Sequence, residues 1–186
     1  MADQTLKTDV AIIGAGPVGL FAVFECGMLN MKCHVIDALD APGGQCMALY
    51  PEKPIYDIPG YPRVLASELV ENLWVQAAPF GAVYHLGQQV IRLQRAADGC
   101  WLLDTSTGTR ISAPVVIIAA GVGAFGPNRP PLDGIEEYEK QPSGCGVKYF
   151  VSRREDYRNR RVVIAGGGDS ALDWALSLAD VAASVA

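Results

Sequence analysis

Two stretches of this chain share one pattern: an apolar run, a glycine-rich turn, then residues at helical spacing. They are VAIIGAGPVGL near residue 15 and VVIAGGGDSAL near residue 168. A strand that runs into closely spaced glycines and then a helix opens a βαβ unit, and such units build parallel sheets. In the first stretch Thr8–Ile13 reads as a buried parallel strand, Pro17–Leu29 as a helix and Lys32–Asp37 as the next strand.

The glycines of the first turn carry chemistry as well as shape. In Gly14-Ala15-Gly16-Pro17-Val18-Gly19, the first glycine makes the tight turn and the second lets the backbone approach a pyrophosphate. The third lets helix and strand pack closely. The free N–H groups and dipole of the helix start favour phosphate charge. Asp37 ends the second strand, 23 residues after Gly14, where an acid can bond ribose hydroxyls. Strand, glycines, helix, strand and acid in order point to a nucleotide site.

The second turn reads Gly166-x-Gly168-x-x-Ala171, with Asp169 and Ser170 between. Alanine is a small residue accepted at its last position. Its ribose reader would lie on the strand cut short at Ala186, so the residues leave its nucleotide open. Two such sites imply a relay between a diffusing hydride donor and a resident redox cofactor.

Between the motifs, residues 38–63 are rich in Gly, Pro, Tyr and Asp without a sustained period, and a loop this long tends to be functional. Ser67 is placed to cap a helix reaching about Ala78. Val83–Leu86, Gln89–Gln94, Trp101–Thr105 and Arg110–Ser112 form a small antiparallel meander with turns at Asp98-Gly99 and Thr107-Gly108. Pro114–Ala120 and Arg161–Ala165 read as further buried strands. Gly and Pro punctuate residues 122–132 closely, which marks a domain boundary.

Composition excludes several classes. No apolar run reaches the roughly eighteen residues of a membrane span, and MADQTLKTDV is no signal peptide. A net charge of −5 argues against general nucleic-acid binding. Five cysteines without CxxC spacing read as reduced thiols in a cytoplasmic protein, with Cys46 read as packing. His34 and His85 lie in strand-like runs and read as structural. No metal spacing, Ser-His-Asp arrangement or paired catalytic carboxylate stands out.

The chain resembles the thioredoxin-reductase-like class of ferredoxin/flavodoxin–NADP⁺ reductases. The resemblance is carried by GAGPVGLFAVFE (14–25), PGGQCMALYPEKPIYDIPGYP (42–62), VVIIAAGVGAFGPNRPPLDGIEEYE (115–139) and GGGDSALDWALSLADVA (166–182). It implies an α/β fold: a Rossmann-like FAD-binding domain over residues 1–123, with a parallel sheet plus the small meander. The start of a second Rossmann-like, NADPH-binding domain would follow over 124–186. Gly14, Gly16, Pro17 and Gly19 would hold the FAD pyrophosphate side, Asp37 the ribose, and Gln45 would lie beside the flavin. Tyr50 would stack on the flavin ring, Val90 would meet the adenine part and Phe125 would add a contact near the hinge. Gly166, Gly168, Asp169, Ser170 and Ala171 would face NADPH. Read without the resemblance, Tyr50 and Phe125 are equally ordinary core aromatics, and nothing singles out Val90.

Thioredoxin reductases carry a redox CxxC before the second glycine strand, whereas this chain has Cys145 alone in GCGVKYFVSRRE. A dithiol relay needs a second sulfur, so thioredoxin reduction is disfavoured. Lys148–Arg161 carries six basic against two acidic residues. It reads either as a solvated face or as a docking site for acidic ferredoxin or flavodoxin. The resemblance also implies a homodimer. Two alternatives stay open: a related FAD/NADPH reductase with another acceptor, and a flavin-binding fragment inactive by itself.

Overall fold

The computed structural model describes residues 5–123 and 129–186. The chain forms two compact units, Met1–Ala48 with Pro54–Phe125, and Leu49–Lys53 with Gly126–Ala186.

The first unit starts with a short strand β1 (Leu6–Lys7), then β2 (Val10–Ile13), helix α1 (Pro17–Met28) and β3 (Cys33–Ile36). Helix α2 (Gly44–Leu49) follows, then β4 (Pro54–Ile55), β5 (Val64–Leu65), α3 (Ala66–Ala77), β6 (Val83–His85), β7 (Val90–Arg95), β8 (Trp101–Thr105), β9 (Arg110–Ala113) and β10 (Val115–Ile118). One sheet is all parallel, in the order β10-β2-β3-β6, and the other runs β1-β9-β8-β7. Alternation along β2 explains how one strand serves both sides. Val10 and Ile12 pack with Val23 and Cys26 of α1. Ala11 packs with Leu103 and Ile111 of the meander. The parallel sheet is thus covered by helices on one face and the meander on the other, giving an α/β architecture.

Several expectations need correction. β6 pairs in parallel with β3 and does not belong to the meander. Its alternating residues fit either sheet, and a three-residue strand holds no information on its partner. Residues 38–63 are not one irregular loop. They contain α2 and the antiparallel β4–β5 pair, both shorter than any period can reveal. Ser67 does not cap α3: the N-cap is Leu65, without a side-chain bond. Apolar runs also overstated burial. Ile118 of β10, on a sheet edge, is 69% exposed, and Val163 is 80% exposed.

In the second unit helix α4 (Ile135–Glu139) leads through a 3-10 turn, Arg154–Tyr157, to β11 (Arg161–Val162), α5 (Asp169–Ala179) and β12 (Ser184–Val185). β11 and β12 pair in parallel, with Arg161 opposite Ser184 and Val162 opposite Val185. The echo seen in the sequence is therefore a strand–turn–helix–strand crossover in both units. A small core of Val151, Tyr157 and Leu178, with Trp174 against it, holds this one together.

Candidate functional site: the two glycine turns

The first glycine turn joins β2 to α1 and is tied down on every side by backbone groups. The Gly14 amide donates to the Ile36 carbonyl at 2.7 Å, and the Gly43 amide donates to the Ala15 carbonyl at 2.8 Å. Gly14 adopts φ +109°, a region that residues with a Cβ rarely enter. A Cβ built there would run into the Ala119 carbonyl, and one on Gly19 into the carbonyl of Gly14. The turn is thus both left-handed and crowded, so glycine is a steric requirement.

α1 begins with Gly16 as an extended N-cap and Pro17 in its first turn, with no capping side chain and no acidic residue there. No side chain caps its first amides, those of Val18 and Gly19, and the helix dipole adds positive potential there. A second glycine pair faces this turn. Gly44, at φ +57°, comes so close that a Cβ on it would lie 3.0 Å from the Gly16 Cα. Two stretches of bare backbone therefore meet at Gly16 and Gly44. A pyrophosphate needs this kind of close backbone approach, so the residues fit a dinucleotide. Sequence reasoning missed Gly44, although the Pro-Gly-Gly step was a visible signal.

Asp37 directly follows β3, half-buried, and its carboxylate works within the fold. Oδ2 accepts the Ala15 amide at 2.6 Å and Oδ1 the Leu39 amide at 2.8 Å. Each carboxylate oxygen has a further lone pair for a ribose hydroxyl. The Gln88 amide donates to the Asp37 carbonyl at 2.9 Å and the Gly87 amide to the Leu39 carbonyl at 2.7 Å. These bonds bring the segment before β7, and so Val90, to the same end of the sheet. Buried Thr105 helps by donating to Gln88 Oε1 at 3.0 Å. Val90 itself is half-buried opposite Thr105, beside a register shift in the β7–β8 pair. Sequence spacing could not reveal Thr105, because its role depends on a cross-strand register.

Gln45 is half-buried in the first turn of α2, and Cys46 after it is buried. Tyr50 is half-buried but falls within residues 49–53, which group with the second unit. Phe125 lies outside the described residues. The first unit therefore brings together Gly14, Gly16, Pro17, Gly19, Asp37 and Gln45, with Val90 at the same sheet end.

The second turn is built differently. Gly168 is the extended N-cap of α5, and Asp169 stands in the first helical turn. A Cβ on Gly166 would meet Ala171 at 3.4 Å, an ordinary contact, while Gly167 and Gly168 face open space. Residues 165–170 are all exposed. Asp169 favours the free helix start and offsets part of the potential that would attract a phosphate.

Other candidate groups serve the fold. His85 Nε2 lies 3.0 Å from His34 Nδ1, across the β3–β6 pair. Burial lowers the pKa of both rings, and His85 adds to the lowering at His34. Burial, with the neighbouring Cys26, pushes the Cys33 thiol up to about 12, so it stays protonated. The basic run is smaller as a surface than its sequence implied. Arg154 turns inward and donates to the Ser177 carbonyl at 2.5 Å, because the end of α5 attracts a cation. Arg158 is held by both oxygens of Glu155. Among the described residues no group of three or more His, Cys, Asp or Glu could hold a metal ion.

The sequence pattern of pyridine nucleotide-disulphide oxidoreductases matches residues 8–186. The chain belongs to that family. It is 64% identical over 179 residues to a protein of Paramagnetospirillum magneticum named ferredoxin–NADP reductase, covering 96% of this chain and 52% of that protein. A protein of the same name from Rhodospirillum rubrum is 61% identical over 183 residues, covering 97% of this chain and 52% of the relative. The chain thus spans about half the length of the curated relatives it matches. Among solved structures, Lactococcus lactis thioredoxin reductase in its FR conformation superposes with a TM-score of 0.68 at 28% identity, covering 96% of this chain and 55% of that one. Thioredoxin reductase from T. acidophilum gives 0.70 at 22% identity, covering 96% of this chain and 55% of that one, and supports the fold alone. These likenesses bear out the resemblance to the thioredoxin-reductase-like reductases and the Rossmann-like fold.

Proposed function

We propose that this chain supplies the FAD-binding part, and the start of the NADPH-binding part, of a reductase that moves electrons between NADPH and ferredoxin or flavodoxin. The observation that carries the reading is the backbone cradle where Gly16 meets Gly44, beside the uncapped start of α1 and the carboxylate of Asp37. The names of the relatives supply ferredoxin as the acceptor, and flavodoxin comes from the family resemblance alone. When bound, FAD and NADPH supply hydride transfer to a flavin and single-electron transfer onward.

The chain's own residues bind and orient. Gly14, Gly16, Pro17 and Gly19 shape the turn that accepts the pyrophosphate, and Asp37 fixes that turn while offering lone pairs to the ribose. Gln45 follows the Gly43-Gly44 step and in this reading lies beside the flavin. Tyr50 presents the aromatic face for the ring, an apolar contact of low entropic cost. Gly166, Gly168, Asp169, Ser170 and Ala171 form the turn offered to NADPH. In this reading catalysis rests on placing two rings in register. Residues 1–123 then form the FAD domain and 124–186 belong to the NADPH domain. A cytoplasmic homodimer completes the proposal.

The test is FAD titration of the purified chain, followed by flavin absorbance, for wild type and Gly16→Val. The wild type is expected to take up FAD and the variant to lose most of that affinity, since an isopropyl group fills the cradle. Equal uptake by both would overturn the site. Comparing ferredoxin, flavodoxin, a quinone and an iron chelate as acceptors at equal NADPH separates this reading from that of a reductase with another acceptor.

A further inference from the structure

Residues 49–53 interrupt the first unit in sequence yet pack within the second. Their local structure is a turn, Tyr50-Pro51-Glu52-Lys53, closed by the Lys53 amide donating to the Tyr50 carbonyl at 3.0 Å. Pro51 stands at its second position, where a fixed φ preforms the bend. Two side chains on the far limb anchor it. Lys53 Nζ meets Asp173 Oδ2 of α5 at 2.5 Å, and Glu52 Oε2 accepts the Arg154 amide at 3.0 Å. Arg154 in turn donates to the Ser177 carbonyl in the last turns of α5. The turn is therefore tied to α5 twice, directly at Asp173 near the middle of the helix and through Arg154 in its last turns.

Lys53 and Asp173 keep 44% and 49% of their side-chain surface exposed. A pair this wet contributes little to global stability, and neither residue fills a core. Its effect is geometric: it sets where the turn, with Tyr50 at its near limb, stands against α5.

We propose that Glu52 and Lys53 are positioning residues that lock Tyr50 to α5, the helix that follows the second glycine turn, so that a displacement of α5 is passed to Tyr50. Its functional meaning rests on the reading of Tyr50 as the aromatic that faces the flavin. α5 follows its N-cap Gly168, in the turn where the second nucleotide would bind, so the lock links that turn to the flavin-facing ring. This is a conformational coupling through two ties that span 120 and 102 residues of sequence.

The lock is tested on the whole chain without nucleotide, by amide hydrogen exchange of residues 49–53. Lys53→Glu and Asp173→Lys each place like charges together, and the double variant restores an opposite pair. Each single reversal is expected to speed exchange there about two- to fivefold, the scale of an exposed ion pair, with amides of β2 unchanged. The double variant returns exchange to near the wild-type rate. Lys53→Met, which adds no repulsion, shifts it in the same direction by less. Unchanged exchange in the single variants, or no recovery in the double, would overturn the lock. With FAD added, flavin fluorescence rises in the single variants toward the level of Tyr50→Leu. If Tyr50→Leu itself leaves that fluorescence unchanged, the assignment of Tyr50 fails while the exchange result still decides the lock.

Discussion

Replacing Gly14 by alanine isolates what the first glycine turn demands. Two costs act at that position. At φ +109° a Cβ imposes backbone strain of about 1–3 kcal/mol. The same Cβ also overlaps the Ala119 carbonyl, which belongs to backbone and cannot swing away. Displacing packed structure costs about 1–3 kcal/mol more. The sum, about 2–6 kcal/mol, is a large share of a domain's total stability of about 5–15 kcal/mol. Three further variants separate the parts. Gly108→Ala has φ +89° and open space around it, so it carries the strain alone. Gly19→Ala has no positive φ but collides with the Gly14 carbonyl, so it carries the collision, less the gain of about 1 kcal/mol from alanine in a helix. Gly168→Ala, at φ −94° with nothing near, is expected to be close to neutral. Denaturant unfolding, monitored by circular dichroism, gives the midpoints. The expected order of destabilisation places Gly14 first and Gly168 last. Equal losses for Gly14→Ala and Gly108→Ala would refute the steric argument.

Asp37→Asn replaces a carboxylate that accepts two backbone amides, and bonds to a charged group are worth about 1.5–3 kcal/mol. A loss on that scale is expected from denaturant midpoints, and a variant as stable as wild type would remove Asp37 from the turn's support. The His34–His85 pair makes the fold sensitive to acid. Both pKa values are lowered in the fold, so the unfolded chain binds more protons as pH drops below about 6.5. That contribution is intact above this value and is lost as pH falls toward the folded pKa values. The drop in Tm on acidification is therefore expected to be steeper in wild type than in a His34→Gln/His85→Gln variant; parallel curves would show that the pair carries no linkage. In the second unit Tyr149 donates to Glu139 Oε1 at 2.6 Å, and that bond raises the phenol's pKa. Glu139→Gln should let it ionise at lower pH, read from the difference in phenolate absorbance between the two proteins.

Much of the first unit was legible because its signals are local and redundant. The run VAII, the three glycines and Asp37 each state one part of a single crossover, and packing agreed with all of them. The second crossover was legible for the same reason. What could not be read depends on neighbours distant in sequence. β6 is three residues long, and only its pairing with β3 decides its sheet. Ser67 had the chemistry of a cap, but β5 runs directly into α3, so the chain direction already set at Leu65 leaves Ser67 as the second residue of the helix. Basic residues were legible as charges and not as partners: Arg154 looked like surface and instead closes the end of α5.

The two glycine turns show why one motif can mean different things to a fold. At Gly14 and Gly19 the missing side chains are needed by the protein itself, since backbone already fills the space. At Gly167 and Gly168 nothing in the described chain fills it. A glycine kept where its own protein leaves room is one whose backbone is free to be approached by something else, which is the condition for phosphate contact. Gly16 satisfies the same condition from the other side, since its nearest neighbour is the bare backbone of Gly44 at 3.8 Å from a built Cβ. Within one fingerprint, then, Gly14 and Gly19 build the turn and Gly16 is free to meet the ligand. Substitutions at the first two should act on stability, and at Gly16 and Gly168 on nucleotide affinity with stability preserved.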